Sequence, residues 1–482
     1  MKFVRILSFF LAIVLSLAVF VGCGDKTSEE TTSNPDTVEN EEELHPDIAK
    51  NDYGSEFYFT IMTHVNQPEL YWAEEYDDNA LTSAVYNRQE FVGNYLGVEI
   101  FGIPEGNPTD CTTKFQAAVK NRDDSTHMLL SHTFMGIDGF VTGNYLTDFN
   151  EIDVIDTTAD HWNYDFMDEV SINGHMFLGY SDFNIARTQV VAFNKDMYSK
   201  YEDAIGEEFY DMVEEYRWTL DKMIAVANLV YIDEGQDGKT ENDTFGLTAD
   251  YEVPYASFLQ ACNISVVDVN DKGAYVIAVY NEENRARTSA LVDKLYDFVR
   301  SDGAFFSDDP TYLVPGKIFA EDRALMYLAR TTSLPGFLND DINFGVLPYP
   351  MFDENQKNVG YRSLQWGGYI CIPSYLADPD MAYETIELLS WASDKVNIAY
   401  YEKLLGKQVA DAPQDKKMLD LVWDSVCSDF GLTYSQVTER DFHYFMLRDL
   451  TMMGSTAQLA SYVSSNEGTA NKRLSKFTGS VK

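Results

Sequence analysis

Residues 190–223 read "VVAFNKDMYSKYEDAIGEEFYDMVEEYRWTLDKM", and the reading of this stretch decides the fold. Two short signatures bracket a run rich in acidic and aromatic residues. The first is Asn194-Lys195-Asp196-Met197, the second Trp218-Thr219-Leu220-Asp221. Thr219 stands where a helix N-cap is expected, because its hydroxyl can accept a backbone N–H of the first turn. What the two signatures mean depends on the sequence to either side.

Toward the N-terminus, "SEFYFTIMTH" (55–64) is rich in aromatic and β-branched residues and runs into Asn66, Gln67 and Pro68, which predicts a strand. "TSAVYNRQEFVGNYL" (82–96) and "CTTKFQAAVKNR" (111–122) predict helices. "GVEIFGIP" (97–104) and "THMLLSH" (126–132) predict two more strands. Strands alternating with helices imply a parallel sheet in an α/β lobe. Ligands of such sheets bind beyond the carboxyl ends of the strands. That places His64 and the loop Ser131-His132-Thr133-Phe134 on one rim.

Toward the C-terminus come "PGKIFAEDRALMYLART" (315–331), "INFGVLPYP" (342–350) and "WGGYICIPSYLADPDMAYETIELLSWAS" (366–393). Taken with 190–223, their order and spacing resemble the extracellular solute-binding proteins of ABC transporters, a family that includes sugar-binding proteins. In that family a strand crosses between lobes, ends in an Asn-Lys-Asp-hydrophobic turn and leads to a Trp-Thr helix start. Phe319, Ala324 and Met326 match its Phe-x-x-x-x-Ala-x-Met segment. Residues 342–350 resemble its return crossing, which Pro348 and Pro350 would stiffen. The resemblance spans roughly residues 55–450 and implies an α/β, two-lobed periplasmic-binding-protein-like fold of type II. Each lobe would be a mostly parallel sheet flanked by helices, joined by crossing hinge strands. The expected boundaries are 53–189 with 344–400 for one lobe, and 190–343 with 401–482 for the other. About 430 residues beyond position 52 are enough for two cores, since single cores stop growing near ~250–300 residues.

The N-terminus has Lys2 and Arg5 ahead of the apolar run "ILSFFLAIVLSLAVFVG", the pattern of a secretory signal over 1–22. "FVGC" resembles the bacterial lipobox, which makes Cys23 the expected lipidated residue, with Phe20 departing from the usual leucine. The polar stretch 23–52 is then a disordered tether that lets the domain range roughly 30 Å from the bilayer. The expected location is the extracytoplasmic face of the cell membrane.

A net charge of −43 argues against nucleic acid, whose phosphates need a basic surface. It also disfavours flat binding to anionic lipid and, more mildly, anionic ligands. Beyond Cys23, the cysteines Cys111, Cys262, Cys371 and Cys427 are far apart and form no dense framework, so disulfides and free buried thiols both remain open. The seven histidines fall at no metal-ligand spacing, and no HExxH, GxSxG or GxxxxGK[ST] occurs. No enzyme chemistry is indicated.

The resemblance implies a receptor that captures a small polar solute, foremost an oligosaccharide, and delivers it to an ABC permease. The rivals are a peptide or other polar-solute receptor and an extracellular glycan-degrading lipoprotein. A sugar needs aromatic platforms and planar polar side chains. Trp366 is the leading platform, because Gly367 and Gly368 beside it allow close approach. Tyr255 sits where sugar-binding relatives carry a Pro-Tyr contact. Arg187, Thr188 and the Ser181-Asp182 loop precede the expected hinge strand, and Arg330 and Thr331 end the Ala-x-Met strand. Ser131, His132 and His64 complete the candidate set. No cofactor is expected, apart from a candidate calcium loop at Asp233, Asp237, Glu241 and Asp243. Its Gly238 fits the calcium pattern, whereas Gly235 and Thr244 depart from it.

Overall fold

A computed structural model describes residues 45–481 apart from 134, 186, 251–252, 309–312, 339–341, 408–410, 440–441, 443 and 454–457. The expected signal, Cys23 and the tether up to residue 44 lie outside the described residues.

In chain order the strands are β1 (Ser55–Met62), β2 (Val98–Glu105), β3 (Met128–Leu130), β4 (Gln189–Asn194), β5 (Tyr231–Ile232) and β6 (Thr244–Ala249). They continue with the hairpin β7 (Val267–Val269) and β8 (Tyr275–Ile277), then β9 (Ala304–Phe306), β10 (Ala324–Arg330) and β11 (Phe344–Leu347). The last are β12 (Ser363–Leu364), β13 (Ile370–Cys371) and β14 (Val426–Cys427). The first sheet has the order β13-β3-β1-β2. Its core strand β1 pairs parallel to β2 and β3, and it buries Phe57, Phe59 and Ile61 at alternate positions. The helix Ala80–Leu96 returns from β1 to β2. Asn79 caps its start by accepting from the Leu81 and Thr82 amides, and Gly97, at φ 64°, ends it in the left-handed region.

The second sheet has the order β11-β4-β10-β6-β5, with β9 also on β6. Every residue of β4 is buried, as a central strand covered on both faces should be. The expectation of a mostly parallel second sheet is corrected here. The β10-β6 and β6-β9 pairs are parallel, but β11-β4, β4-β10 and β5-β6 are antiparallel. Local sequence marks a strand without fixing its direction. Direction follows from which edge the chain returns to.

The opening stretch has a local physical explanation. The Asn194 side chain caps helix Lys195–Ile205, accepting the Met197 amide at 2.8 Å. Trp218 is fully buried and donates its indole N–H to the Pro348 carbonyl at 3.0 Å. Thr219 caps the helix Leu220–Ala227. The two signatures therefore fasten two helix starts to one sheet.

Two expected boundaries move. Phe344–Leu347 stays in the second sheet against β4, so 342–350 is not the return crossing. The chain returns at 363–368, where Thr188 bridges Gln365 and Gly368 meets the rim of the first sheet. Residues 45–48, expected within the tether, pack instead on the folded domain. His45 and Ile48 are buried against the helix Ala80–Leu96, and the Tyr95 hydroxyl accepts the His45 amide and donates to the Ile48 carbonyl. All four cysteines beyond Cys23 are free and buried.

Candidate functional site

The rim of the first sheet is organised by Asn66. Its Nδ2 donates to the Met62 and Ser131 carbonyls, each at 3.1 Å, and its Oδ1 accepts the Gly368 amide at 3.0 Å. Asn184 donates to the Gly368 carbonyl at 3.0 Å. A Cβ on Gly368 would overlap the Ser131 carbonyl oxygen, so only glycine permits this approach. Here Ser131 serves the backbone: its amide donates to the Tyr369 carbonyl. His132 is buried and stacks on the exposed His64, with ring centroids 5.4 Å apart.

The crossing segments lie beside this rim. Thr188 is fully buried and donates its hydroxyl to the Leu364 carbonyl at 2.7 Å, while the Thr331 amide donates to the Thr188 carbonyl. Thr188 and Thr331 thus lock the crossing strand to its neighbours. The Arg187 amide donates to Gln365 Oε1 at 2.9 Å, the Trp366 amide donates to the Arg187 carbonyl at 2.7 Å, and the Arg187 guanidinium donates to the Val65 carbonyl on the first rim. Trp366 is half-buried.

On the second sheet, Asp250 follows β6 and Arg330 ends β10. The Asp250 carboxylate accepts the Tyr327 hydroxyl at 3.2 Å and lies 3.5 Å from the Arg330 guanidinium. Burial pushes its carboxyl up to about 6, against the opposing pull of Arg330 and Tyr327. Burial also lowers the Arg187 guanidinium, and Arg330 nearby adds to the effect. Gln189 Oε1, Gln365 Nε2 and the Tyr349 hydroxyl are buried with no hydrogen-bond partner among the described residues. Such groups cost about 1–3 kcal/mol each when left unmet. Sequence reasoning missed Asn66, Asp250, Gln365 and Tyr349. The Gly367-Gly368 pair marks the place of Asn66 and Gln365, and Asp250 and Tyr349 stand by Arg330 and Tyr327 instead.

A family model for bacterial extracellular solute-binding proteins matches residues 88–408, more than half of the 482-residue chain. The chain belongs to that family. No curated protein matches it significantly. Among solved structures it is similar to the cyclic α-maltosyl-1,6-maltose binding protein from Arthrobacter globiformis, with TM-score 0.58 and 12% identity over 87% of this chain and 99% of that one. It is also similar to the galacto-N-biose/lacto-N-biose I-binding protein from Bifidobacterium longum in complex with lacto-N-biose, with TM-score 0.56 and 13% identity over 89% and 99%. A third is UgpB from Mycobacterium tuberculosis in complex with glycerophosphocholine, with TM-score 0.52 and 14% identity over 88% and 98%. These likenesses show the two-lobed periplasmic-binding-protein-like fold. Among the described residues no helix is long and apolar enough to cross a membrane.

The remaining predicted site residues lie apart from the junction. Tyr255 is fully buried on the helix Val253–Ala261, its ring 6.1 Å from Phe306. Asp182 is next to His161 and Asp394, and burial first, then Asp394, pushes its carboxyl up to about 7. A carboxyl whose pKa is raised in the folded state favours the protonated form there. Its contribution to stability is therefore lost as pH rises from near 3.8 to about 7. Asp182→Asn is expected to raise the melting temperature at pH 8 and to leave it unchanged at pH 3.5. An equal shift at both pH values would remove ionisation as the cause.

In the acidic loop, Asp233, Asp237 and Asp243 bring one oxygen each within 4.8 Å of one another, and Glu241 stands outside the group. Both Asp233 oxygens accept backbone amides, from Asp237 and Gly238, and both Asp243 oxygens accept amides from Glu234 and Thr240. Calcium takes about six to eight oxygens. An open groove of about 1030 Å³ runs along β2 and the helix Ala80–Leu96, and Trp72 and Glu90 are among its lining residues.

Proposed function

We propose that this chain is the lipid-anchored capture subunit of an ABC importer, that it takes an oligosaccharide between its two lobes, and that it hands the sugar to a membrane permease. The observation that carries the reading is the unmet buried polarity of Gln189, Gln365 and Tyr349 where the two sheets join. A polyhydroxylated solute offers donors and acceptors to such groups at the cost of little charge. Several similar structures hold sugars, which supports the same choice. Lobes joined by crossing segments can hinge, and contacts from one solute to both lobes favour closure. A lipid at Cys23 would keep the receptor near its permease and raise its effective concentration there.

Native mass spectrometry of protein purified without denaturation is expected to show a retained glycan of unchanged mass. A retained peptide, or a glycan shortened on incubation, would replace this reading with one of its rivals. For the anchor, intact mass of the mature protein is expected to show cleavage before Cys23 with added acyl chains, both lost in Cys23→Ser. Cleavage elsewhere without acylation would remove the anchor.

A further inference from the structure

Two guanidiniums, those of Arg187 and Arg330, come from the adjacent segments that carry β4 and β10 at the junction of the lobes, and the Asp250 carboxylate lies beside Arg330. Arg187 reaches from the crossing segment to the Val65 carbonyl and has no carboxylate partner among the described residues. β10 pairs with β4 so that Arg330 stands opposite Gln189, two residues along from Arg187, and the Arg330 guanidinium lies 3.5 Å from the Asp250 carboxylate. The other ionisable groups near this pair are Tyr71, Tyr400, Tyr327 and Tyr349. These tyrosines are neutral at pH 7, since burial raises each of them. Glu69 is exposed on a neighbouring turn and acts on Tyr400.

A half-buried cation without a counter-ion is costly, and like charges brought together add to the cost. The chain carries 78 acidic side chains, more than twice its basic ones, yet among the described residues none forms an ion pair with Arg187. Surface acids elsewhere are screened within about 8 Å at physiological salt, so the overall charge of −43 does not reach this pair. The arrangement has the properties of a binding site whose counter-ion arrives with the solute. Guanidiniums match planar or tetrahedral anionic oxygen groups with paired hydrogen bonds.

Resting on the oligosaccharide reading, we propose that the captured solute is an acidic glycan, and that Arg187 and Arg330 together take its anionic oxygen group. The neutral part of the solute is left to Trp366 and to the unmet amides and hydroxyl.

The test uses the full mature protein and three probes in calorimetry: trigalacturonate, maltotriose and glycerophosphocholine. Trigalacturonate is expected to bind, and maltotriose to bind at least tenfold more weakly. Arg187→Gln and Arg330→Gln are each expected to weaken trigalacturonate about thirtyfold or more, as truncating one partner of a buried charged pair does. Maltotriose affinity should change less than threefold in both variants. Arg187→Lys keeps the charge and loses the fork, and is expected to recover only part of the loss. Thermal melting guards against misfolding: without ligand, Arg187→Gln should melt no lower than the wild type, since it removes an uncompensated cation. Tight maltotriose binding that ignores both arginines would overturn the acidic class and leave the oligosaccharide reading standing. Glycerophosphocholine binding with no glycan bound would overturn both, and would identify the anion as a phosphodiester. A melting temperature lowered by more than about 5 °C in Arg187→Gln would make Arg187 a structural residue and would also overturn the proposal.

Discussion

Gly368→Ala is expected to destabilise the protein by about 3 kcal/mol or more, well beyond the usual cost of overpacking. The added methyl would overlap the Ser131 carbonyl oxygen and lie 2.9 Å from Asn66 Nδ2 and 3.1 Å from its Oδ1. The Ser131 oxygen belongs to the backbone immediately after β3, so no rotamer change can relieve it. Asn66 is buried and committed to Met62, Ser131 and Gly368 at once. Moving it leaves several buried polar groups unmet, each costing about 1–3 kcal/mol. The knot also ties the return segment to the first sheet through Asn184. Ligand binding should therefore fall together with stability. Gly336→Ala is the control: nothing lies within 4 Å of its Cβ, so its stability should hold. Urea unfolding of both variants decides the matter. A Gly368→Ala protein within 1 kcal/mol of the wild type would mean that the rim is looser than these contacts require.

The elements around the knot were readable from the sequence, and the knot itself was not. β1 announces itself through alternating Phe57, Phe59 and Ile61, and Asn194 and Thr219 sit where caps belong. Such signals are local, fixed by neighbours within one or two turns. The Asn66–Gly368 bond spans 302 residues, and nothing in Asn66's surroundings in sequence reports its partner. Asp250, Gln365 and Tyr349 are isolated polar residues without periodicity, so they look like any loop residues. The return crossing lies later in the chain than its strand-like sequence implies, for a related reason. "INFGVLPYP" is strand-like and proline-rich, but which sheet it joins is decided by β4, about 150 residues away. Even the expected ligand set divided by distance in space. Arg187, Thr188, Arg330, Thr331, His132 and Trp366 gather about the junction, whereas Tyr255 and Asp182 pack elsewhere.

Trp366→Ala is expected to weaken solute binding about thirtyfold while leaving the fold intact. The position supplies the first reason: the Trp366 amide is fixed to the Arg187 carbonyl at 2.7 Å, so the indole starts from the segment that joins the lobes. Its half-burial supplies the second. Trp218 is 0% exposed and encloses its ring in the core, whereas Trp366 is only partly buried, at the core's edge beside two glycines. An open indole face stacks on the apolar face of a sugar ring. Covering several tens of Å² of it contributes about 1–2 kcal/mol at ~25 cal/mol per Å². A desolvated central contact raises the truncation cost to about 2 kcal/mol or more, which at ~1.4 kcal/mol per decade is the stated thirtyfold. Trp218→Ala gives the contrast: it removes a fully buried ring and its bond to Pro348, and should cost about 3–5 kcal/mol of stability. Calorimetric affinity and melting temperature, measured on both variants, separate the two roles. If Trp366→Ala melts as low as Trp218→Ala while binding the solute normally, the indole is a packing residue and the sugar platform must be sought among the tyrosines of the second rim.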